Sequence, residues 1–203
     1  MNTLPAIGED AVVIETQPQT KRETDAVLIE RSWRRPDAFA AVFDRYYAEI
    51  HGFVARRLGR GRADDLASET FLIAFDRRRR YDLAHADARP WLYGIASNLI
   101  ARHRRAEMRQ LRALARADRR ETVDGHGDRV AGRLDAQAQR GRLAAALLEI
   151  ADRDREVLLL VAWAQLTCEE AAQALGIPAG TARSRLHRAR RKTRAALTGE
   201  DAR

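Results

Sequence analysis

Residues 167–186 read Thr-Cys-Glu-Glu-Ala-Ala-Gln-Ala-Leu-Gly-Ile-Pro-Ala-Gly-Thr-Ala-Arg-Ser-Arg-Leu, and this stretch decides the architecture. Thr167 and Glu170 fit a capping box, in which each side chain satisfies the other residue's backbone N–H at a helix start. The helix they open, Glu169 to Leu175, is followed by Gly176-Ile177-Pro178. Gly176 suits the left-handed position after a helix, and Pro178 can begin the next one. Ala172, Gly176 and Ala182 are small enough for the two helices to cross closely, which is helix-turn-helix geometry. Along the second helix, Ala182, Leu186, Ala189, Thr193 and Ala196 fold onto one direction at about 100° per residue and form the apolar stripe. Ser184, His187, Arg188 and Arg191 fall opposite, with Arg183 and Arg194 on a flank. Between Thr181 and Arg194 there are seven bases and no acid. A merely solvated helix normally mixes signs for i,i+4 pairing, so the face is expected to meet an anionic polymer. The plain alternative is a helical hairpin whose basic face meets only water.

Charge along the remaining chain is uneven. The total is +8, from 37 Lys+Arg against 29 Asp+Glu, and Lys21 and Lys192 are the only lysines. Arginine offers a planar fork suited to phosphate and guanine, where lysine is a point charge. Residues 1–30 carry two bases and six acids, whereas 31–105 carry sixteen and nine. Residues 1–24 lack a sustained apolar period and read as a disordered acidic tail. One cysteine, Cys168, excludes a disulfide framework and a Cys-pair zinc site. The longest apolar run, Val157 to Ala164, falls far short of the ~20 residues a membrane helix needs. No secretory signal pattern opens the chain, so a soluble, cytoplasmic protein without membrane insertion is expected.

No strand-like alternation survives, and the chain reads as all-α. From Asp37, the residues Phe39, Val42, Phe43, Tyr46, Tyr47, Ile50, Phe53 and Val54 step at helical spacing. A second helix is expected over about Ala63 to Arg79 and a third from Pro90 past Arg104. Glu121 to Asp128 holds two glycines among turn formers and breaks the period. Two small helical domains follow, 25–106 and 140–198, joined by a flexible linker over 107–139 that is partly helical at both ends, with 199–203 as a tail.

On a helix from Asp64, the residues Asp65, Glu69, Leu72 and Asp76 share one side, and Leu66, Thr70 and Ile73 another. An acidic stripe with an apolar anchor, inside a net +7 block, suits a basic protein partner better than DNA. The third helix pairs aromatics with bases, Trp91 and Tyr93 followed by Asn98, Arg102, Arg104 and Arg105. Stacking platforms beside positive charge are what unpaired bases need, although a Trp such as Trp91 is commonly a core residue.

Three segments, Asp64-Asp65-Leu66-Ala67-Ser68-Glu69-Thr70-Phe71-Leu72, Trp91-Leu92-Tyr93-Gly94-Ile95-Ala96-Ser97-Asn98-Leu99 and Gly180-Thr181-Ala182-Arg183-Ser184-Arg185-Leu186, resemble bacterial RNA polymerase sigma factors of the extracytoplasmic-function (ECF) group. The resemblance covers roughly residues 25–105 and 140–198. It implies a first block that docks on core polymerase and opens the minus-ten element, and a second that reads the minus-thirty-five element. It further implies polymerase contact through Asp65, Ser68, Glu69 and Leu72, minus-ten contact through Arg80, Trp91, Asn98, Arg102 and Arg105, and minus-thirty-five contact through Thr181, Arg183, Ser184, His187, Arg188 and Arg191. The loop Asp82 to Arg89 matches the family's pocket for a flipped base. Implied partners are promoter DNA, core RNA polymerase through its largest-subunit coiled coil and flap region, and an anti-sigma factor; the free chain would be a monomer without cofactor. Departures from the family pattern are Ser68 for a usual Gln, Gly94 and Ser97 for usual bases, Arg102 for a usual acid and Cys168 for a usual aromatic.

No catalytic constellation can be assembled. The histidines are scattered at 51, 85, 103, 126 and 187, and His85 with Asp87, or His126 with Asp128, lacks a third metal ligand. No nucleophile motif or phosphate-binding glycine loop occurs. The rival reading is a regulator that binds DNA alone through residues 167–194, for which the acidic helix would have no use.

Overall fold

The computed structural model describes residues 23–118 and 150–198. The tail at 1–22, most of the linker and the final tail lie outside the described residues. Among these residues the elements are helical, with no strand: α1 (Asp25–Arg31), α2 (Ala40–Leu58), α3 (Ala63–Arg77), α4 (Arg89–Asp118), α5 (Asp152–Trp163), α6 (Cys168–Leu175) and α7 (Ala179–Thr198). The first part of the expected linker thus continues α4 as far as Asp118.

Helix α2 buries Val42, Tyr46, Ile50, Phe53 and Val54, the three-to-four spacing of a single stripe. It packs against α3, which buries Ala63, Leu66, Ala67, Thr70, Phe71 and Ala74. Helix α4 lies across both and contributes Leu92, Ile95, Ala96, Leu99 and Ile100. The short helix α1, which the periodicity reading did not resolve, is capped by the Thr24 hydroxyl, 3.5 Å from the Val27 N–H. Helix α3 ends at Arg77, two residues earlier than expected, and passes into a 3-10 turn at Arg78–Arg80. There Arg78 folds back, donating to the Phe75 carbonyl at 2.6 Å with its guanidinium 3.8 Å from the Phe75 ring centroid.

The sequence treats the two blocks as separate domains. In the structure they also bury surface against each other, and α4, α6 and α7 share one apolar cluster. Arg57 is 3% exposed and donates to both Glu156 oxygens at 3.0 and 2.7 Å. Arg89 donates to the Ala164 carbonyl at 2.8 Å, again from the first block to the second. Gly94 sits where α4 meets α6, and a Cβ there would overlap the Ala174 carbonyl oxygen. The small residue that weakens α4 by about 1 kcal/mol relative to Ala is therefore what lets the second block seat.

Candidate nucleic-acid interface

The turn between α6 and α7 is built by its own sequence. The Glu170 N–H donates to the Thr167 hydroxyl at 3.1 Å, and the Thr167 N–H donates to the Glu170 carboxylate at 2.7 Å. Gly176 adopts φ 61°, ψ 38°, the left-handed conformation that costs a residue with a Cβ most. The Ile177 N–H then reaches back to the Ala172 carbonyl at 3.0 Å, and α7 starts at a fixed angle to α6.

Helix α7 turns Ala182, Leu186 and Ala189 inward. Arg183, Ser184, His187, Arg188 and Arg191 are exposed and Thr181 is half-buried. Two of the arginines are held by acids of the same block. Arg183 lies 3.0 Å from Glu169, and Arg188 donates from Nε and Nη2 to Asp154 at 2.9 and 3.0 Å. These guanidinium hydrogen bonds hold both carboxyls below the usual carboxylate range. Ser184 spends its hydroxyl proton on the Thr181 carbonyl at 2.9 Å. A shallow basic groove runs along the later turns, lined by His187, Arg190, Arg191 and Arg194.

In the first block, α3 exposes Asp65, Ser68 and Leu72, the last with 62% of its surface in solvent. Glu69 is only half-exposed and pairs with Arg102 of α4 at 2.5 Å. A docking residue and a DNA residue expected from the sequence are thus each other's partner, across a depression lined by Arg62, Asp65 and Leu66 as well. The sequence reading missed the aromatic step beside this face. Phe43 stacks on Tyr47 at 4.8 Å and meets Phe71 edge-on at 4.9 Å, with Phe43 partly in solvent. Its signal was available, since the apolar positions of α2 are too many for one buried stripe.

On α4, Trp91, Asn98, Arg102 and Arg105 are spaced seven, four and three residues apart and share a face. Asn98, Arg102 and Arg105 are exposed, and Trp91 is half-buried against Tyr81 at 5.0 Å. Tyr93 corrects the expectation of a second stacking aromatic, being 3% exposed and edge-on to Phe53 at 5.1 Å. Arg104 likewise turns inward and donates to the Arg57 carbonyl at 2.9 Å. Burial, with Arg57 and Arg155 nearby, pushes its pKa down. Of the four adjacent arginines, Arg78 is engaged by Phe75 and by the Ser32 carbonyl, Arg79 reaches the Trp33 carbonyl at 3.3 Å, and Arg80 is exposed. Among the described residues no three His, Cys, Asp or Glu side chains converge as metal ligands; His126 and Asp128 lie outside them.

A helix-turn-helix whose second helix carries only basic charge outward, beside a helical block with an acidic stripe on α3, has the architecture of a DNA-binding protein. Comparison with known proteins narrows that class. Residues 42–110 match the family described as sigma-70 region 2, and residues 140–193 match sigma-70, region 4. The chain is 34% identical over 142 residues to the ECF RNA polymerase sigma factor SigC of Mycobacterium tuberculosis, covering 70% of this chain and 74% of that one. It is 30% identical over 176 residues to SigK of Mycolicibacterium vanbaalenii, covering 83% and 86%. The fold is shared with CnrH in complex with the cytosolic domain of CnrY, at TM-score 0.59 and 24% identity over 87% of this chain and 99% of that one. It is shared also with the sigma factor RpoE in complex with the anti-sigma factor NepR from Bartonella quintana, at 0.53 and 21% over 81% and 98%. The chain belongs to the sigma-70 family, in its ECF group, and is a sigma factor for promoter-specific transcription initiation. No described helix is long and apolar enough to cross a membrane.

Proposed function

We propose that the region 2 domain, residues 25–106, docks on core RNA polymerase and opens the minus-ten element, while the region 4 domain, 140–198, reads the minus-thirty-five element. Residues 107–139 connect them, and the terminal segments 1–24 and 199–203 are tails. Asp65, Ser68, Glu69 and Leu72 meet the coiled coil of the largest subunit, and region 4 lies against the flap. Arg80, Asn98, Arg102 and Arg105 hold the minus-ten strands, Trp91 supplies a ring edge, and the loop Asp82 to Arg89 receives the flipped base. Thr181, Arg183, Ser184, His187 and Arg188 face base edges, with Arg191 on phosphate. The observation that carries this reading is α7, whose early exposed residues stand opposite a buried Ala182–Leu186–Ala189 stripe. The chain supplies recognition and the polymerase supplies catalysis, in the cytoplasm and without a cofactor. Free of polymerase it is a monomer, and an anti-sigma protein restrains it, as CnrY and NepR are found on the related folds.

Reading both elements at once requires the blocks to part. Their centres lie roughly 85 Å apart along B-DNA at ~3.4 Å per base pair. A compact chain of this length is only about 45 Å across. Run-off transcription with purified chain, core polymerase and a promoter found by mapping induced transcript starts tests the proposal. Transcripts are expected only when chain and core are both present. Tight, specific duplex binding by the chain alone, with no effect on polymerase, would replace it with the repressor-like reading.

A further inference from the structure

Asp25 is the first residue of α1 and is 2% exposed, a buried carboxylate that neither docking nor DNA contact uses. A buried charge is tolerated only when paired and fully hydrogen-bonded. Here the partners come from two places. Arg45 of α2 supplies the counter-charge, and it also donates to the Glu23 carbonyl at 3.3 Å. Further hydrogen bonds go to the loop that precedes α4. Asp25 Oδ2 accepts the Ala88 N–H at 2.8 Å, and the Asp25 N–H donates to the Ala86 carbonyl at 3.0 Å. One residue of α1 therefore clamps two points of the loop backbone, sixty-odd positions away in the chain.

Two phenols complete the clamp. The Tyr46 hydroxyl donates to Asp25 Oδ2 at 2.6 Å and stands 3.2 Å from Asp87 Oδ1. The Tyr81 hydroxyl lies 2.6 Å from the His85 carbonyl and 3.1 Å from the Asp87 carbonyl. Burial, then the negative charge of Asp25, pushes both phenols well above their ordinary pKa, so both stay protonated donors. Asp87 accepts the Arg89 N–H at 2.8 Å and so ties the loop's end to the start of α4. Meanwhile Asp82, Ala84, His85 and Ala86 are exposed. The backbone is held from beneath, while Asp82 and His85 stay exposed above it, 3.6 Å from each other, with Asp82 also accepting the Ala84 N–H at 3.0 Å; support from below with polar groups outward is what a recognition loop needs.

We propose that Asp25 is a positioning residue for minus-ten specificity, acting through the backbone of residues 86–88 with Tyr46 as its relay. The inference rests on the reading of the loop Asp82 to Arg89 as the pocket for the flipped base. A residue that only stabilised the fold would change melting and promoter occupancy without changing which base is preferred. The test uses the full chain assembled with core polymerase, bound to forked promoter DNA whose non-template minus-ten strand carries each base in turn. Asp25→Asn keeps the shape while removing the charge and one acceptor, and Tyr46→Phe removes only the relay hydroxyl. Both are expected to assemble with polymerase and to keep minus-thirty-five dependence, with discrimination at the flipped base falling roughly tenfold for Asp25→Asn and less for Tyr46→Phe. Asp82→Ala and His85→Ala, in the loop itself, serve as the reference. If these shift base preference and the two clamp variants do not, the role of Asp25 is overturned. If none of the four shifts it, the loop is not the reader and the proposal falls with that reading. Should Asp25→Asn fail to fold, as judged by circular dichroism, Tyr46→Phe decides alone.

Discussion

Arg188 and Arg191 sit one turn apart on α7 and are held differently. Arg188 is clasped through Nε and Nη2 by Asp154 with about half of its side chain still in solvent, whereas Arg191 lines the open basic groove. A guanidinium oriented by a fixed carboxylate loses less freedom when it meets a base edge, while one in an open groove tracks phosphate as a mobile charge. Arg188→Ala should therefore cost ~1–3 kcal/mol at its preferred base pair and relax preference there. Arg191→Ala or Arg194→Ala should weaken all promoters alike and lower the salt slope by ~0.9 for each phosphate no longer neutralised. Holoenzyme binding to a minus-thirty-five library at several salt concentrations separates the two. Unchanged preference in Arg188→Ala, with altered preference in Arg194→Ala, would reverse the seating of α7 in the groove. Helical periodicity alone told which α7 side chains face outward. It could not tell their acid partners, because Asp154 precedes Arg188 by 34 positions and Glu169 precedes Arg183 by 14. Such pairs depend on how helices cross.

Helix α3 is the element with two unlike sides. Leu66, Thr70 and Ala74 are buried beneath, and Asp65, Ser68 and Leu72 are exposed above. Asp65→Arg with Glu69→Arg reverses the stripe without touching the core, so helix content should persist while assembly with core polymerase is lost. Glu69→Arg also faces Arg102 with a like charge, so Asp65→Arg alone is the cleaner arm. Pull-down on core polymerase beside circular dichroism reads both; normal assembly of the double variant would make the stripe a solvated face only. At this scale the sequence was legible wherever a boundary is chemically marked. Thr167, Glu170 and Gly176 announce the ends of α6 in side-chain and backbone chemistry. The 3-10 turn at Arg78–Arg80 has no such mark: no cap side chain or glycine stands there, and Arg78 packs onto the Phe75 ring. Tyr93 is covered within its own block, edge-on to Phe53 of α2, and the periodicity of α4 alone does not tell how wide a face α2 covers.

The contact between the blocks makes Gly94 a reporter on the whole molecule. If they stood apart, Gly94→Ala would relieve a helix-interior glycine and stabilise α4 by about 1 kcal/mol. In the packed chain the new Cβ meets the Ala174 carbonyl, a backbone atom of α6 that cannot swing aside. Forcing one methyl into a closed interface costs ~1–3 kcal/mol. That equals or exceeds the propensity gain. The Arg57–Glu156 pair also joins the two blocks, so a shift that parted them would leave a buried guanidinium short of its partner. Gly94→Ala should accordingly lower the thermal midpoint of the free chain, by about 2–4 °C for each net kcal/mol of destabilisation. Assembly with core polymerase should be undiminished, because the proposed promoter-spanning form requires the blocks to part. Differential scanning calorimetry of the free chain and titration onto core polymerase measure the two quantities side by side. A raised midpoint would mean that the blocks do not rest on each other in solution, and the sign alone decides.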